Sequence, residues 1–253
     1  MHDEFMLTFE NLWVTFRARW CNEHELDGAL AFTHDRVKID FFHRVVQVNV
    51  DDSRMDELID DAIYLFQDKG LECAFTLSPL DRPAAFAKRL GHRGFFCGRL
   101  ASAMIHCPTW TASPVRTVSK VNRSNESEYE IWADAICRSF GHPSKMKEVG
   151  CSVLITPEVR CYLARVDGAA AGTTLLHSKF GMGNIDLVGT LPGDRRKGVA
   201  SALIARAVAG SQAIGNRWTS LEAVTGSDAE RLYGRLGFRT AYHRHRYIKK
   251  RDV

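Results

Sequence analysis

The sequence predicts a mixed α/β protein, a sheet of mixed strand direction flanked by helices, built twice along the chain. Three observations predict it. Stretches with a two-residue apolar period alternate with stretches at three-and-four spacing. The segment Pro108 to Pro114 sets two prolines around small and hydroxyl residues, which is linker chemistry. Ala84 to Phe95 (AAFAKRLGHRGF) parallels Ala229 to Phe238 (AERLYGRLGF), a weak internal repeat. The expected domains are residues 1–110 and 115–253, of related fold. The alternative is two unrelated segments that share a helix–Gly–Phe–strand ending.

In the first half, Val37 to Val50 reads as strand-like around Asp40-Phe41-Phe42. Ser53 to Lys69 is a helix with Met55, Leu58, Ile59, Ala62, Leu65 and Phe66 on one face, ended by Gly70. Leu71 to Leu77 is a strand. Arg82 to Leu90 is a helix with Pro83 in its first turn. Phe95 to His106 is a strand. Trp13, Phe16 and Trp20 form an aromatic cluster expected in the core, with the lining of an acceptor pocket as the alternative.

The second half opens with a strand at Val115 to Val121. Glu126 to Phe140 carries Tyr129, Trp132, Ala133, Ile136 and Phe140 on a helix face and stops at Gly141-His142-Pro143. Val159 to Val166 and Ala169 to Phe180 flank Asp167-Gly168, a strong two-residue hairpin signal. Asn184 to Leu191 is a strand running into Pro192-Gly193. Gly198 to Ile214 is a helix with Gly215 as its cap. Trp218 to Val224, Asp228 to Leu236 and Phe238 to Lys249 complete the series as strand, helix and extended segment.

Composition narrows the class. The chain has 253 residues, 45% of them hydrophobic and 25% charged, which suits a globular protein of one large or two small domains. Seven cysteines with no C-x-x-C spacing argue against a disulfide framework or a zinc ribbon and for a reducing compartment. The acidic start, Met1-His2-Asp3-Glu4-Phe5, lacks the basic and apolar regions of a signal peptide. No window is apolar enough to span a membrane. The expectation is a cytoplasmic protein. The net charge of +4 conceals an asymmetry. Residues 1–110 hold 12 Lys+Arg and 17 Asp+Glu, a net of −5, whereas residues 111–253 hold 22 and 13, a net of +9. A basic second half suggests an anionic partner.

The chemistry concentrates at Val188-Gly-Thr-Leu-Pro-Gly-Asp-Arg-Arg-Lys-Gly-Val-Ala-Ser201. A strand runs into a turn, a basic tripeptide follows, and Gly198 opens a helix. The first amides of a helix lack intrahelical acceptors and, with the helix dipole, attract an anion. Arg195, Arg196 and Lys197 add charge beside them, and the small Gly198 and Ala200 allow close approach. A pyrophosphate would suit this arrangement. Neither G-x-x-x-x-G-K-[ST] nor G-x-G-x-x-G is present. The alternative is a solvated basic turn.

These residues resemble the GCN5-related N-acetyltransferase (GNAT) family. Arg195-x-x-Gly198-x-Ala200 matches its [QR]-x-x-G-x-[GA] acyl-CoA signature, and Ala229-Glu-Arg-Leu-Tyr-Gly-Arg-Leu-Gly-Phe238 is similar to its A-x-x-L-Y-x-x-L-G-F hallmark. The resemblance covers residues 115–249 and only weakly residues 37–107. It implies tandem GNAT-like folds and acetyl-CoA as cosubstrate. The amides of Arg196, Lys197, Gly198, Val199, Ala200 and Ser201 would hold the pyrophosphate, with Arg195 at the loop's edge. The backbones of Val188 and Thr190 would pair with the pantetheine arm as an added strand. Tyr233 would protonate the departing thiolate in direct transfer to a primary amine; a phenol with a pKa of about 10 arrives protonated. Glu222 is the preferred base, with Asp186 as the other candidate; a two-residue period puts Asp186, Val188 and Thr190 on one face. Where family members often have Asn, seven positions before the Tyr, this chain has Gly226.

The first half lacks the signature. At the matching place stands Asn49-Val-Asp-Asp-Ser-Arg-Met-Asp-Glu57, an acidic helix start hostile to phosphate, so this domain is expected to be degenerate and without cofactor. His243 and His245 share a strand face but lack a third ligand, so no metal is expected. The basic tail from Arg244 to Arg251 reads as a charged strand edge rather than a nucleic-acid contact. The expected partners are acetyl-CoA and an amine-bearing acceptor, with a homodimer left open and no membrane or nucleic acid. A non-catalytic acyl-CoA-binding regulator is the alternative function.

Overall fold

The computed structural model describes residues 2–107, 117–121, 125–142 and 156–250. The chain forms two compact units, and they interlace in sequence: one takes residues 1–103, 223–227 and 240–253, the other 104–222 and 228–239. The expected linker at Pro108 to Pro114 lies outside the described residues. The division differs from two consecutive blocks because the last strand of the chain joins the sheet of the first unit.

The first unit opens with α1 (His2–Arg17), β1 (Asn22–Leu26) and β2 (Ala29–Thr33), followed by β3 (Arg44–Val46), α2 (Met55–Asp68), β4 (Cys73–Leu77), α3 (Phe86–His92) and β5 (Phe96–His106). With the last strand, β11 (Phe238–Lys249), its sheet runs β1-β2-β3-β4-β11-β5. The pairs β1/β2, β2/β3 and β4/β11 are antiparallel, and β3/β4 is parallel across the α2 crossover. The apolar faces of α2 (Leu58, Ile59, Ala62, Phe66) and α3 (Phe86, Leu90) close over Ala31, Val45 and Phe75 of the sheet. Each fully buried Leu, Ile, Val or Phe among them contributes about 1.5–3 kcal/mol.

Helix α1 is an element the sequence reading missed, although Phe5, Phe9, Leu12, Trp13 and Phe16 follow helical spacing and are all buried. Trp13, Phe16 and Trp20 are core residues of this unit: Trp13 meets Phe32 edge-on at 6.3 Å, and Phe16 meets Trp20 at 5.0 Å. The β1–β2 hairpin was also missed, despite the Asp27-Gly28 turn.

Three expectations are corrected here. Val37 to Val50 is not one strand. Asp40–Phe42 forms a 3-10 turn and only Arg44–Val46 extends. His34 Nδ1 accepts from the Arg36 and Val37 amides and His43 Nε2 bonds the Val37 carbonyl at 2.7 Å, so side chains take the backbone groups a ladder would need. Pro83 does not open a helix; the Arg82–Pro83 bond is cis and α3 starts at Phe86. The basic tail is not a solvated edge. β11 lies between β4 and β5, and its alternation buries Tyr242, Arg244 and Arg246 while exposing His243 and His245. Arg244 Nη2 donates to Glu10 Oε2 at 3.1 Å, and Glu10 also accepts the Tyr242 hydroxyl through Oε1 at 2.7 Å.

The second unit holds β6 (Thr117–Lys120), α4 (Glu126–Phe140), β7 (Val159–Val166), β8 (Ala169–Lys179) and β9 (Met182–Thr190). Helix α5 (Val199–Ile214), strand β10 (Trp218–Val224) and helix α6 (Asp228–Arg235) follow. The order is β10-β9-β8-β7-β6; β9/β10 is parallel and the rest antiparallel. Asn125 caps α4 by accepting the Glu128 amide, and Gly141 ends it in the left-handed region. Trp132 anchors α4 by donating its indole N–H to the carbonyls of Tyr162 and Thr174 at 3.1 and 3.3 Å. Both units therefore repeat one scheme: an antiparallel meander, a helical crossover to a parallel strand, and a second helix leading to the next strand.

Candidate active site

The centre of the second unit is the place where two parallel strands part. β9 and β10 are in register from Met182/Trp218 to Ile185/Leu221, the last matched pair. Directly beyond it β9 carries a bulge. Leu175 of β8 faces Asp186 and Thr173 faces Gly189, so Leu187 and Val188 together oppose Thr174. Leu187 is held at φ 52°. Its amide donates to Asp186 Oδ1 at 2.7 Å, and the Thr174 hydroxyl donates to the Asp186 carbonyl at 2.9 Å. A left-handed Leu costs of order 1 kcal/mol, so these two bonds hold a strained turn in place.

The bulge reverses the alternation of β9. Gly183 and Gly189 are six apart and would share a face in a regular strand. A Cβ on Gly183 would meet Ser211 of α5, whereas one on Gly189 would lie 2.7 Å from Ser139 Cβ of α4. The expectation that Asp186, Val188 and Thr190 share a face is therefore corrected: Asp186 lies with Gly189 toward α4, and Val188 and Thr190 lie on the α5 side. Gly189 must stay glycine because Ser139 and Phe140 press directly on it.

Glu222 arrives on the same side as Asp186. Ser220 Oγ donates to Asn184 Oδ1 at 3.1 Å, which places those two on one face, while Thr219 Oγ1 bonds Ser211 Oγ of α5 on the other. Two positions further on each strand stand Asp186 and Glu222, both half-buried. Tyr233 of α6 is 7% exposed and packs its ring 6.3 Å from that of Phe238. Burial, reinforced by the negative charge of Asp186, pushes its phenol up to about 12, so it stays protonated at any physiological pH. The structure thus brings Tyr233, Asp186 and Glu222 into one region of the second unit. Gly226 is a left-handed turn residue between β10 and α6.

The basic loop lies where β9 leads into α5. Pro192–Asp194 is a 3-10 turn, Arg196 is held at φ 61°, and Gly198 at φ 82° is the N-cap of α5. No side chain caps that end, and its first turn contains no acid. Arg195, Arg196, Lys197 and Gly198 are exposed, Val199 is buried, and Ala200 and Ser201 are half-buried. Lys197 Nζ bonds Asp194 Oδ1 at 3.0 Å. A side chain at Gly193 or Gly198 would meet nothing within 4 Å, so the helix start is open to an approaching group. Open amides, two left-handed residues and three cations fit a phosphate group. Among the described residues no group of three His, Cys, Asp or Glu side chains could hold a metal, and no helix is long and apolar enough to cross a membrane.

What the sequence reading missed at the site is the bulge. A Leu in the left-handed region carries no local signal. A left-handed residue recurs in the first unit, where Gln47, which follows β3, has φ 54°.

The comparisons agree with this geometry. Residues 125–238 match the model of the Acetyltransferase (GNAT) family. No curated protein matches the sequence. Among solved structures, a GCN5-related N-acetyltransferase from Kribbella flavida superposes with a TM-score of 0.74 at 18% identity, covering 97% of this chain and 95% of its own. A GCN5-related N-acetyltransferase from Sphaerobacter thermophilus gives 0.66 at 19% identity, covering 88% and 76%. A tandem GNAT protein from the clavulanic acid biosynthesis pathway gives 0.62 at 13% identity, covering 88% and 79%. At these identities the likeness is one of fold, and it extends over both units. The parted strands, the open helix start and the family match converge: residues 125–238 are an acetyltransferase domain of the GNAT family.

Proposed function

We propose that this chain is an acetyl-CoA-dependent N-acetyltransferase, of the acyltransferase class EC 2.3.1.-, that passes the acetyl group directly to a primary amine. The observation that carries the reading is the parallel pair β9/β10 ending at Ile185/Leu221 beside an uncapped, basic helix start. The amides of Arg196 to Ser201 bind the pyrophosphate, with Arg195 and Lys197 adding charge at its edge. The backbones of Val188 and Thr190, past the bulge, bond the amides of the pantetheine arm. Glu222 takes a proton from the acceptor, directly or through a water, and Tyr233 donates one to the departing sulfur. A phenol held protonated by burial is suited to that second role.

The first unit supports the reading from within the chain. The segment that follows β3, past the left-handed Gln47, has its backbone groups bonded to a neighbouring stretch of chain. Val48 N–H donates to Asp81 Oδ1, the Arg82 amide donates to the Val48 carbonyl at 2.8 Å, and the Val50 amide donates to the Arg82 carbonyl at 3.2 Å. Such an edge accepts amides, which is what the pantetheine arm offers. Here the chain's own segment fills it, so this unit is a degenerate GNAT-like domain and binding is expected at one acetyl-CoA per chain.

Two measurements test the reading. Acetyl-CoA at millimolar concentration raises the melting temperature, and calorimetric titration gives a stoichiometry of one. Tyr233→Phe keeps that binding and lowers kcat by about 10²–10³-fold. No thermal shift sinks the proposal; binding with no turnover on any amine, and no effect of Tyr233→Phe, points instead to a non-catalytic acyl-CoA-binding regulator.

A further inference from the structure

Four arginines are buried among the described residues, and all four gather between α1 and one face of the first unit's sheet. Arg17 closes α1, Arg44 stands on β3, and Arg244 and Arg246 alternate with exposed histidines on β11. The register fixes the face. Arg44 is opposite Phe32, whose ring meets Trp13 of α1, and Arg246 is opposite Thr76. The guanidinium carbons of Arg17, Arg44 and Arg244 lie 4.8, 5.1 and 4.5 Å from the centre of the Trp13 ring, so no two of them are more than about 10 Å apart. None of the four arginines is more than 9% exposed.

A guanidinium stays ionised at every physiological pH, so four fixed positive charges are held out of water here. The buried carboxylates among the described residues are Glu10 and Asp81. Glu10 serves Arg244 and Tyr242. Asp81 lies in the field of Arg244, but its oxygens take the Val48 and Ser78 amides and the Ser78 hydroxyl. Two titratable neighbours leave the balance unchanged. Burial pushes the Cys21 thiol up to about 11 in spite of Arg17 and Arg44, so it stays protonated. His43, beside Arg44 and Arg246, is held toward its neutral form, chiefly by burial.

Donors are in surplus as well. Each of the four arginines keeps other interactions, among them a bond from Arg44 Nη2 to the Phe41 carbonyl at 2.9 Å. At the level of single atoms, no acceptor meets Arg17 Nε and Nη1 or the Nε of Arg44, Arg244 and Arg246. The buried Thr76 hydroxyl, opposite Arg246, also makes no hydrogen bond. An acceptor-rich anion offsets both surpluses at once, and guanidinium forks match the oxygens of a phosphate. We infer that this face of the first unit encloses a small divalent oxyanion of phosphate type, held by Arg17, Arg44, Arg244 and Arg246 together with the Thr76 hydroxyl. Two charges are the excess of these arginines over Glu10 and Asp81. Because the arginines are almost fully covered, the ligand is the free anion rather than a phosphate carried on a larger molecule. The site belongs to the unit without the acyl-CoA signature, and it stands whether or not the chain transfers acetyl groups. Its occupant binds the folded chain alone and so stabilises it.

The test melts the full chain with inorganic phosphate as the probe, sodium chloride holding the ionic strength constant. Raising phosphate from zero to about 10 mM lifts Tm by about 3–6 °C along a saturating curve. A general salt effect on hydration would instead grow steadily into the molar range. Sulfate acts as phosphate does; acetate and glycerol 3-phosphate have no effect. Arg17→Met keeps an unbranched side chain against Trp13 and Phe41 and abolishes the response. Arg246→Met does the same, so the test survives if one variant does not fold. Without phosphate, Arg17→Met melts no lower than wild type, because it removes a buried charge. Gly198→Glu keeps the response, which separates this site from the helix start of α5. A Tm that phosphate leaves unmoved overturns the inference. So does a response that survives both arginine substitutions, one that is lost in Gly198→Glu, or an equal response to acetate or glycerol 3-phosphate.

Discussion

Val46-Gln47-Val48 and Asp186-Leu187-Val188 are the same piece of backbone in two chemical settings. Each follows an antiparallel partner, Leu30 facing Val46 and Leu175 facing Asp186, and each turns through a left-handed residue at φ 54° or 52°. In the first unit the edge past Gln47 is occupied by Asp81 and Arg82, and the helical stretch that follows opens with Asp52, Asp56 and Glu57. Arg89 of α3 and Arg93, the residue after it, pair with Asp56. In the second unit the helix start is basic, uncapped and open. A strand that parts from its neighbour leaves unpaired amides, and a fold can satisfy them with its own chain or with a ligand. Charge at the next helix start decides whether a phosphorylated ligand is welcome.

The contrast can be broken first at the helix start. Gly198→Glu places a carboxylate where the pyrophosphate is expected, and acetyl-CoA affinity falls about 100-fold, close to 2.7 kcal/mol. The new side chain meets nothing within 4 Å, so the cost in stability is confined to the left-handed backbone, about 1 kcal/mol. Calorimetric titration beside a thermal melt separates the two; equal affinity for variant and wild type would detach the helix start from the cofactor.

In the first unit the matching experiment is Asp81→Ala. It removes the acceptor of the Val48 and Ser78 amides and the Ser78 hydroxyl. The expected loss is about 3 kcal/mol of stability, or roughly 6–12 °C in Tm. The acetyl-CoA Kd of the folded protein stays within twofold, because the filled edge takes no part in binding. A melting temperature unchanged by the substitution would contradict the bonding described for that edge.

The smallest expected difference is in pH dependence. Burial lowers the pKa values of His24, His34 and His43 in the first unit and of His106 in the second. A histidine with a lowered folded pKa contributes stability above the unfolded value of about 6.5, and that contribution is lost as pH falls through the folded value. Three such groups among the described residues of the first unit are expected to make it acid-sensitive. Hydrogen exchange corrected for intrinsic rates should show the amides of β2–β4 losing protection before those of β7–β9 between pH 7.5 and 5.5. Simultaneous loss would mean that the histidines do not distinguish the units.

Much of the second unit was legible in the sequence. Val159 to Val166 and Trp218 to Val224 were bounded as found, because Asp167-Gly168 and Gly215 are strong local stops. The open helix start followed from Arg195-x-x-Gly198-x-Ala200. The first unit was harder. The segment from Val37 to Val50 reads as a strand until His34 and His43 are seen bonding its backbone, and α1 shows its purpose only through Tyr242 and Arg244, more than 200 residues away. The bulge at Leu187 was invisible for a related reason: it is paid for by Thr174 on a neighbouring strand.

The sequence by itself determined most elements of the second unit, their order and the chemistry of the helix start, because propensity, period and capping act over a few residues. Tertiary structure alone decided that the final strand belongs to the first unit, that Asp81 and Arg82 fill one strand edge, and that the phase of β9 reverses at Leu187. Those outcomes depend on which distant backbone groups meet, and no local pattern encodes that. The +4 net charge illustrates the division: its split was readable along the chain, but the burial of Arg244 and Arg246 and the exposure of Arg195 and Arg196 came only with the fold.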